Sequence, residues 1–278
     1  MSTRLDKGIA ERPVRRLHAD GPDAEPEPDT LVVEEPLEIR VAGEPMAITM
    51  RTPGDDHRLA VGFLFCEGVI ERLADVGGVA HCGRPGDESW GNVVDVVPAP
   101  GTVLDPDRLA QSRRGTLTTA ACGVCGRRSI DDLLARVERL EAAPQIPREV
   151  LAQSTERLRR GQDNFARTGG IHAAAALTEG GEVIVLAEDV GRHNAVDKVV
   201  GALLYDGIVG HGAAPDPSRR PGVLVVSGRT SFEIVQKAAV AGIGAVAGVS
   251  APTSLAVDLA RRAGITLAGF VRDGRLNL

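Results

Sequence analysis

Aromatic side chains are scarce in this 278-residue sequence, at 3% of the chain with five Phe, one Trp and one Tyr. A core built without them must be filled by Val, Leu, Ile and Ala, as in a closely packed α/β protein. No apolar run approaches the roughly 18 residues that would mark a spanning helix, and the N-terminus lacks the apolar stretch of a secretory signal. A cytoplasmic protein without a membrane partner is therefore expected. Cysteine is also rare: the four residues Cys66, Cys82, Cys122 and Cys125 are too few and too unevenly spaced for a disulfide framework. The net charge of -6 argues against general binding to a phosphate backbone, so no nucleic acid partner is expected, although local arginine clusters remain available. What is present is an ordinary apolar fraction of 43%, enough for one large domain or two modest ones.

Residues 1–29 are rich in Pro, Asp, Glu and Arg without apolar periodicity, and they read as a disordered tail. Segments 31–41 and 45–51 alternate around Ala42-Gly43-Glu44 as a hairpin. The turn Pro53-Gly54-Asp55 then leads into an apolar helix through Leu59, Val61, Phe63 and Phe65, ending near Gly68. Strands at 76–82 and 92–97 and a helix at 106–112 complete an α+β subdomain over 30–114. After a loop at 115–128, helices are expected at 129–142 and 147–160, punctuated by Pro144 and Pro147. Strands at 171–177, 182–188, 223–227, 243–249 and 265–271 then alternate with helices at 192–204, 231–241 and 252–263. This alternation predicts a three-layer α/β sandwich with a largely parallel sheet over 129–278.

Four stretches carry chemistry. In Cys122-Gly123-Val124-Cys125, two thiols sit among Gly, Ala and Thr. Arg127 and Arg128 follow, and Ser129 with Asp132 reads as the N-cap of the next helix. That positive helix end and the arginines favour thiolate over thiol. A redox dithiol, half of a zinc site, a sulfur carrier and a packed pair of small residues all fit a single such pair; a closed zinc site needs four ligands, and no second pair of this spacing exists. His172, after Gly169-Gly170-Ile171, is by itself equally a hydrogen-bonded core histidine. The run Glu188 to Lys198 contains Arg192, His193, Asn194 and Asp197 at a strand end opening a helix, where open α/β sheets bind ligands; its bland reading is a charge network capping that helix. Ser227-Gly228-Arg229-Thr230-Ser231 is again strand end, turn and helix start, a plausible phosphate cradle without the glycine spacing and lysine of a Walker loop. Ser250, Pro252 and Thr253 open the next helix in the same way, so three strand ends could face one pocket.

Together, Cys122 to Gly126, Gly169 to His172, Glu188 to Lys198 and Ser227 to Glu233 resemble the formate dehydrogenase accessory sulfurtransferase family (FdhD), from about Glu34 to the C-terminus. The resemblance implies a sulfur carrier required for formate dehydrogenase activity. Such a carrier accepts a persulfide from a cysteine desulfurase and passes its sulfur to the molybdenum or tungsten bis(molybdopterin guanine dinucleotide) cofactor, its bound substrate, before insertion into formate dehydrogenase. It further implies a homodimer whose C-terminal half is similar to the cytidine deaminase fold. The family's persulfide cysteine matches Cys122, with Cys125 as the second thiol. Its cofactor-binding segment matches Phe270, Val271, Arg272, Asp273, Gly274 and Arg275. Arg192, His193, Lys198, Arg229, Ser231 and His172 are expected to line the same pocket. Deaminase chemistry itself is not expected, because Ala174 stands where a His-x-Glu pair needs its glutamate and 227–231 contains no cysteine. A cofactor-binding chaperone with no covalent step, and a dithiol redox protein, are the competing readings.

Overall fold

The computed structural model describes residues 8–21, 25–83, 90–105, 109, 137, 139–140, 145–213 and 216–278. The cysteine loop with Cys122 and Cys125 and most of the helices expected at 106–112 and 129–142 lie outside the described residues.

The N-terminal sheet has the order β4-β3-β6-β5, from β3 (Glu35–Val41), β4 (Glu44–Arg51), β5 (Val76–His81) and β6 (Val93–Pro98). β3 and β4 form the expected hairpin. Ala42 and Gly43 both take positive φ, 51° and 83°, the left-handed pair that matches the twist of a two-residue turn. Helix α1 (Asp56–Cys66) is buried nearly throughout, because its apolar residues continue around the cylinder rather than along one stripe. It fills the space between this sheet and the C-terminal half.

The second sheet has the order β12-β11-β10-β9-β7-β8, from β7 (His172–Thr178), β8 (Val183–Asp189), β9 (Pro221–Val226), β10 (Ala245–Gly248), β11 (Thr266–Arg272) and β12 (Arg275–Asn277). It is mixed rather than largely parallel: only the β9–β10 and β10–β11 pairings are parallel, and the β7–β8, β7–β9 and β11–β12 pairings are antiparallel. The physical reason lies in the connections. Residues 179–182 and 273–274 are too short to carry a chain back to the starting edge, so β7–β8 and β11–β12 must be hairpins. Side chains alternate between two apolar layers. Ala173, Ala175, Leu177, Val223, Val225, Ala247 and Ala268 face Val150, Leu151 and Leu158 of α2 (Arg148–Arg160). Ala174, Ala176, Leu224, Val226 and Val246 face α4 (Arg192–Tyr205), α5 (Phe232–Val240) and α6 (Ser254–Ala263). A short helix, α3 (Asp163–Thr168), precedes β7.

This second core is continuous with Leu37, Ile39, Val94 and Val96 of the N-terminal sheet through α1 and α4. Where those helices cross, a Cβ on Gly62 would lie 1.9 Å from the carbonyl oxygen of Asp197, and one on Gly201 would lie 2.0 Å from that of Arg58. Only glycine at both positions permits that approach.

The stretch expected as a disordered tail is not without structure. β1 (Ile9–Val14) and β2 (Glu27–Val32) pair antiparallel, from Ile9 opposite Val32 to Val14 opposite Glu27. Half of the twelve strand residues are exposed and none is fully buried, so the pairing rests largely on backbone hydrogen bonds, and Arg16 bridges Glu27 and Asp29. A strand held in this way leaves no apolar alternation to read.

Candidate functional site

The parallel strands β9, β10 and β11 end on the edge of the sheet where β7 begins and β8 ends, with His172 opposite Asp189 and Ala174 opposite Val226. Helices α4, α5 and α6 all start on that edge. Their aligned peptide dipoles and first-turn N–H groups concentrate positive potential there. The three starts differ in their caps. Thr253 caps α6 through its side chain, which accepts from Ala256 N at 3.3 Å. At α4 the N-cap is Gly191, which has no side chain to offer, and at α5 the hydroxyl of Ser231 does not cap its own helix.

The run Glu188 to Lys198 divides between two tasks. Asp189 is wholly buried and accepts from Lys198 Nζ at 2.8 Å, Gly191 N at 2.8 Å, Asn194 Nδ2 at 3.0 Å and Thr52 N at 3.2 Å. Burial pushes the Asp189 carboxyl up, and Lys198 opposes that. Lys198 also donates to the carbonyls of Thr52 at 2.9 Å and Glu188 at 3.3 Å. Its three ammonium hydrogens are committed inward, so Lys198 is not the ligand-facing residue that the motif suggested. Asn194 bonds the end of β4 through the Met50 carbonyl, at 2.7 Å, and Thr49 Oγ1. Asn194 and Lys198 thus form one stripe of α4 that clamps the end of β4.

The adjacent stripe, His193 and Asp197, faces α5. Lys237 Nζ lies 2.6 Å from Asp197 Oδ1 and 3.5 Å from Glu233 Oε1, and His193 Nε2 lies 3.8 Å from Glu233 Oε2 and 3.1 Å from Ser231 Oγ. Burial pushes Asp197 up to about 6, against the pull of Lys237. Burial also opposes the Lys237 charge, but Asp197, Cys66, Glu233 and Glu67 outweigh it and raise its pKa.

Toward solvent, the edge presents cations. Arg192 is half-buried, its Nε is enclosed and has no hydrogen-bond partner among the described residues, and its pKa is lowered by burial and then by the charge of Arg229. A Cβ on Gly228 would lie 3.5 Å from both Arg192 Cδ and the His172 ring, so Gly228 is the floor between them. His172 Nδ1 lies 3.4 Å from Ser227 Oγ, and the imidazole is held below its ordinary range by burial and then by Arg192. The structure therefore brings His172, Arg192, His193, Arg229 and Ser231 to one cleft. An unpaired guanidinium N–H, uncapped first turns and like charges held close are what an anion of phosphate type requires.

Sequence reasoning placed Thr230 in the phosphate cradle but missed that it is fully buried, with Oγ1 unpartnered among the described residues. A Cβ on Gly248 would lie 2.4 Å from that oxygen. The signal was available in the glycine that ends β10. Also missed was Lys237, recognisable as the i+4 partner of Glu233 on an otherwise apolar helix.

The 270–275 segment rises at the end of β11, three strand steps from β7, or roughly 14 Å. Val271 does not face a ligand. It is fully buried against α2, and its carbonyl accepts from Thr155 Oγ1 at 2.8 Å. Phe270 is 51% exposed at φ 53°, within a break in the β11–β12 register, and its N–H donates to Ser250 O at 3.1 Å. A bulky residue in left-handed backbone is strained by about 1–3 kcal/mol. Arg272, Asp273, Gly274 and Arg275 are exposed beyond the edge, with Asp273 and Gly274 forming the tight turn.

The pattern that defines the FdhD/NarQ family matches residues 32–278. A protein of Anaeromyxobacter dehalogenans named sulfur carrier protein FdhD is 58% identical over 250 residues, covering 90% of this chain and 86% of that one. The protein of the same name from Mycobacterium tuberculosis is 46% identical over 277 residues, covering 97% and 95%. Among solved structures, a chain from Desulfotalea psychrophila, described as a formate dehydrogenase accessory protein, superposes with a TM-score of 0.70 at 22% identity, covering 97% of this chain and 96% of that one. At that identity the likeness speaks for the fold. The family pattern and the identities to proteins of one name run across the cleft and nearly the whole length, and the chain belongs to the FdhD/NarQ family.

Proposed function

We propose that this protein is a sulfur carrier serving formate dehydrogenase, acting as a sulfurtransferase on a molybdenum or tungsten bis(molybdopterin guanine dinucleotide) substrate. The observation that carries the reading is the cleft: Arg192, Arg229 and His172 meet two uncapped helix starts on a chain whose relatives are named sulfur carriers. The phosphates of the substrate would lie over that edge. Phe270 would offer an aromatic face to a guanine, with Arg272 and Arg275 beside it. The wider likeness of the C-terminal half to the cytidine deaminase fold, a homodimer and a cytoplasmic location belong to the same reading; among the described residues, no helix is long and apolar enough to cross a membrane.

The sulfur enters at Cys122. Its thiolate attacks the outer sulfur of a cysteine desulfurase persulfide, the S–S bond of that persulfide breaks, and the desulfurase cysteine leaves as thiolate. Cys122 then holds the persulfide, with Cys125 as the neighbouring thiol. Incubation with a cysteine desulfurase and cysteine should add the mass of one sulfur atom to the peptide containing Cys122. The Cys122→Ser variant should lose that mass and fail to restore formate dehydrogenase. Full restoration by this variant would instead indicate a chaperone without a covalent step.

A further inference from the structure

Ser231 occupies the N-cap of α5, yet its hydroxyl makes no cap bond and instead lies 3.1 Å from His193 Nε2. A serine at this position ordinarily accepts from the N–H two or three residues on, a bond worth about 1 kcal/mol to the helix. Forgoing it needs a reason, and the surroundings of His193 supply one. Glu233 Oε2 lies 3.8 Å from the same nitrogen, so a proton on Nε2 faces a carboxylate and a hydroxyl oxygen, whereas a bare Nε2 would set its lone pair against the carboxylate. Glu233 is held from behind by Lys237, which is itself anchored on Asp197. His193 and Asp197 are one turn apart on α4, as Glu233 and Lys237 are on α5, so two i,i+4 pairs face each other across the helix interface.

We propose that Glu233 and Lys237 are positioning residues that keep a proton on His193 Nε2, so that Ser231 accepts from the imidazole and turns its own hydroxyl hydrogen to the cleft as a donor to the anionic substrate. This rests on the cleft being an anion site. It is not a nucleophile triad, because the serine and the carboxylate both meet the same imidazole nitrogen. Glu233 instead sets the direction of one hydroxyl.

Nitrogen-15 NMR of the full chain, recorded across a pH titration and read on its alkaline plateau, reads the tautomer directly. Nε2 of His193 should be the protonated nitrogen, and Glu233→Gln should shift population to Nδ1. With inorganic pyrophosphate as the probe, Ser231→Ala and Glu233→Gln should each weaken binding about tenfold, the scale of one hydrogen bond to a charged group. The double variant should lose no more than either single one, since both act through one hydroxyl. A wild-type ring protonated on Nδ1, unweakened single variants, or a double variant that multiplies the two losses would each overturn the proposal. Wild-type protein that does not bind pyrophosphate at all would refute the cleft reading, while the tautomer still decides this inference.

Discussion

Replacing Gly201 by Ala places a methyl group 2.0 Å from the carbonyl oxygen of Arg58, across the crossing of α1 and α4. Ordinary contact needs more than 3 Å, so the helices must part by about 1 Å or shift along each other. A gap of that size forfeits a quarter to a half of the dispersion energy across the seam. Leu59, Phe63, Val196, Val200, Leu203 and Leu204 are all buried in that core. At about 2 kcal/mol for each of these six buried side chains, a quarter of the total is about 3 kcal/mol. Alanine returns about 1 kcal/mol through its better helix propensity. Gly201→Ala should therefore destabilise the protein by about 2 kcal/mol, read from the midpoint of urea unfolding followed by circular dichroism. Gly62→Ala should do the same from the other side, and the double variant should cost less than the sum because the first methyl has already parted the helices. A Gly201→Ala protein as stable as wild type, or more stable by the propensity gain, would refute the close-crossing argument.

Phe270→Gly removes the left-handed strain and should stabilise the fold by about 1 kcal/mol in the same assay, while weakening guanine nucleotide binding measured by calorimetry. Unchanged nucleotide binding would remove Phe270 from the cleft's ligand set. The pH dependence has a definite sign at His172. Burial first, and then Arg192, holds its folded pKa below 6.5, so the unfolded chain takes up a proton that the folded one refuses, and stability falls as pH drops below about 6.5. The stability difference between wild type and His172→Gln, followed from pH 8 to pH 5, should fall toward acid; a flat difference would show that the ring is not shielded.

The sequence carried most of the elements. Strands such as Val76–His81 and helices such as Arg192–Tyr205 lie within a residue or two of where periodicity and glycine punctuation put them. Sheet order was not legible, because no pattern within β7 or β9 says that they pair antiparallel. The motif around Arg192 was recognised as important but read as one ligand-facing cluster. Helical spacing already separates it: Asn194 and Lys198 are four apart on one stripe, His193 and Asp197 on the next. What the spacing cannot say is which stripe meets β4 and which meets α5, since that depends on segments more than thirty residues away in the chain.

The clamp on the end of β4 has a practical corollary. Asp189 and Lys198 are satisfied in part by the backbone of Thr52, and Asn194 by that of Met50. A polypeptide beginning after the cysteine loop would keep every residue of the cleft but surrender those partners, leaving a buried carboxylate and ammonium short of hydrogen bonds and the inner face of α4 open to water. The half that carries the cleft is thus not a separable module: anyone seeking a minimal folded fragment should retain the sheet of β3 to β6, because the backbone at the end of β4 serves as internal scaffolding for a cleft it never touches.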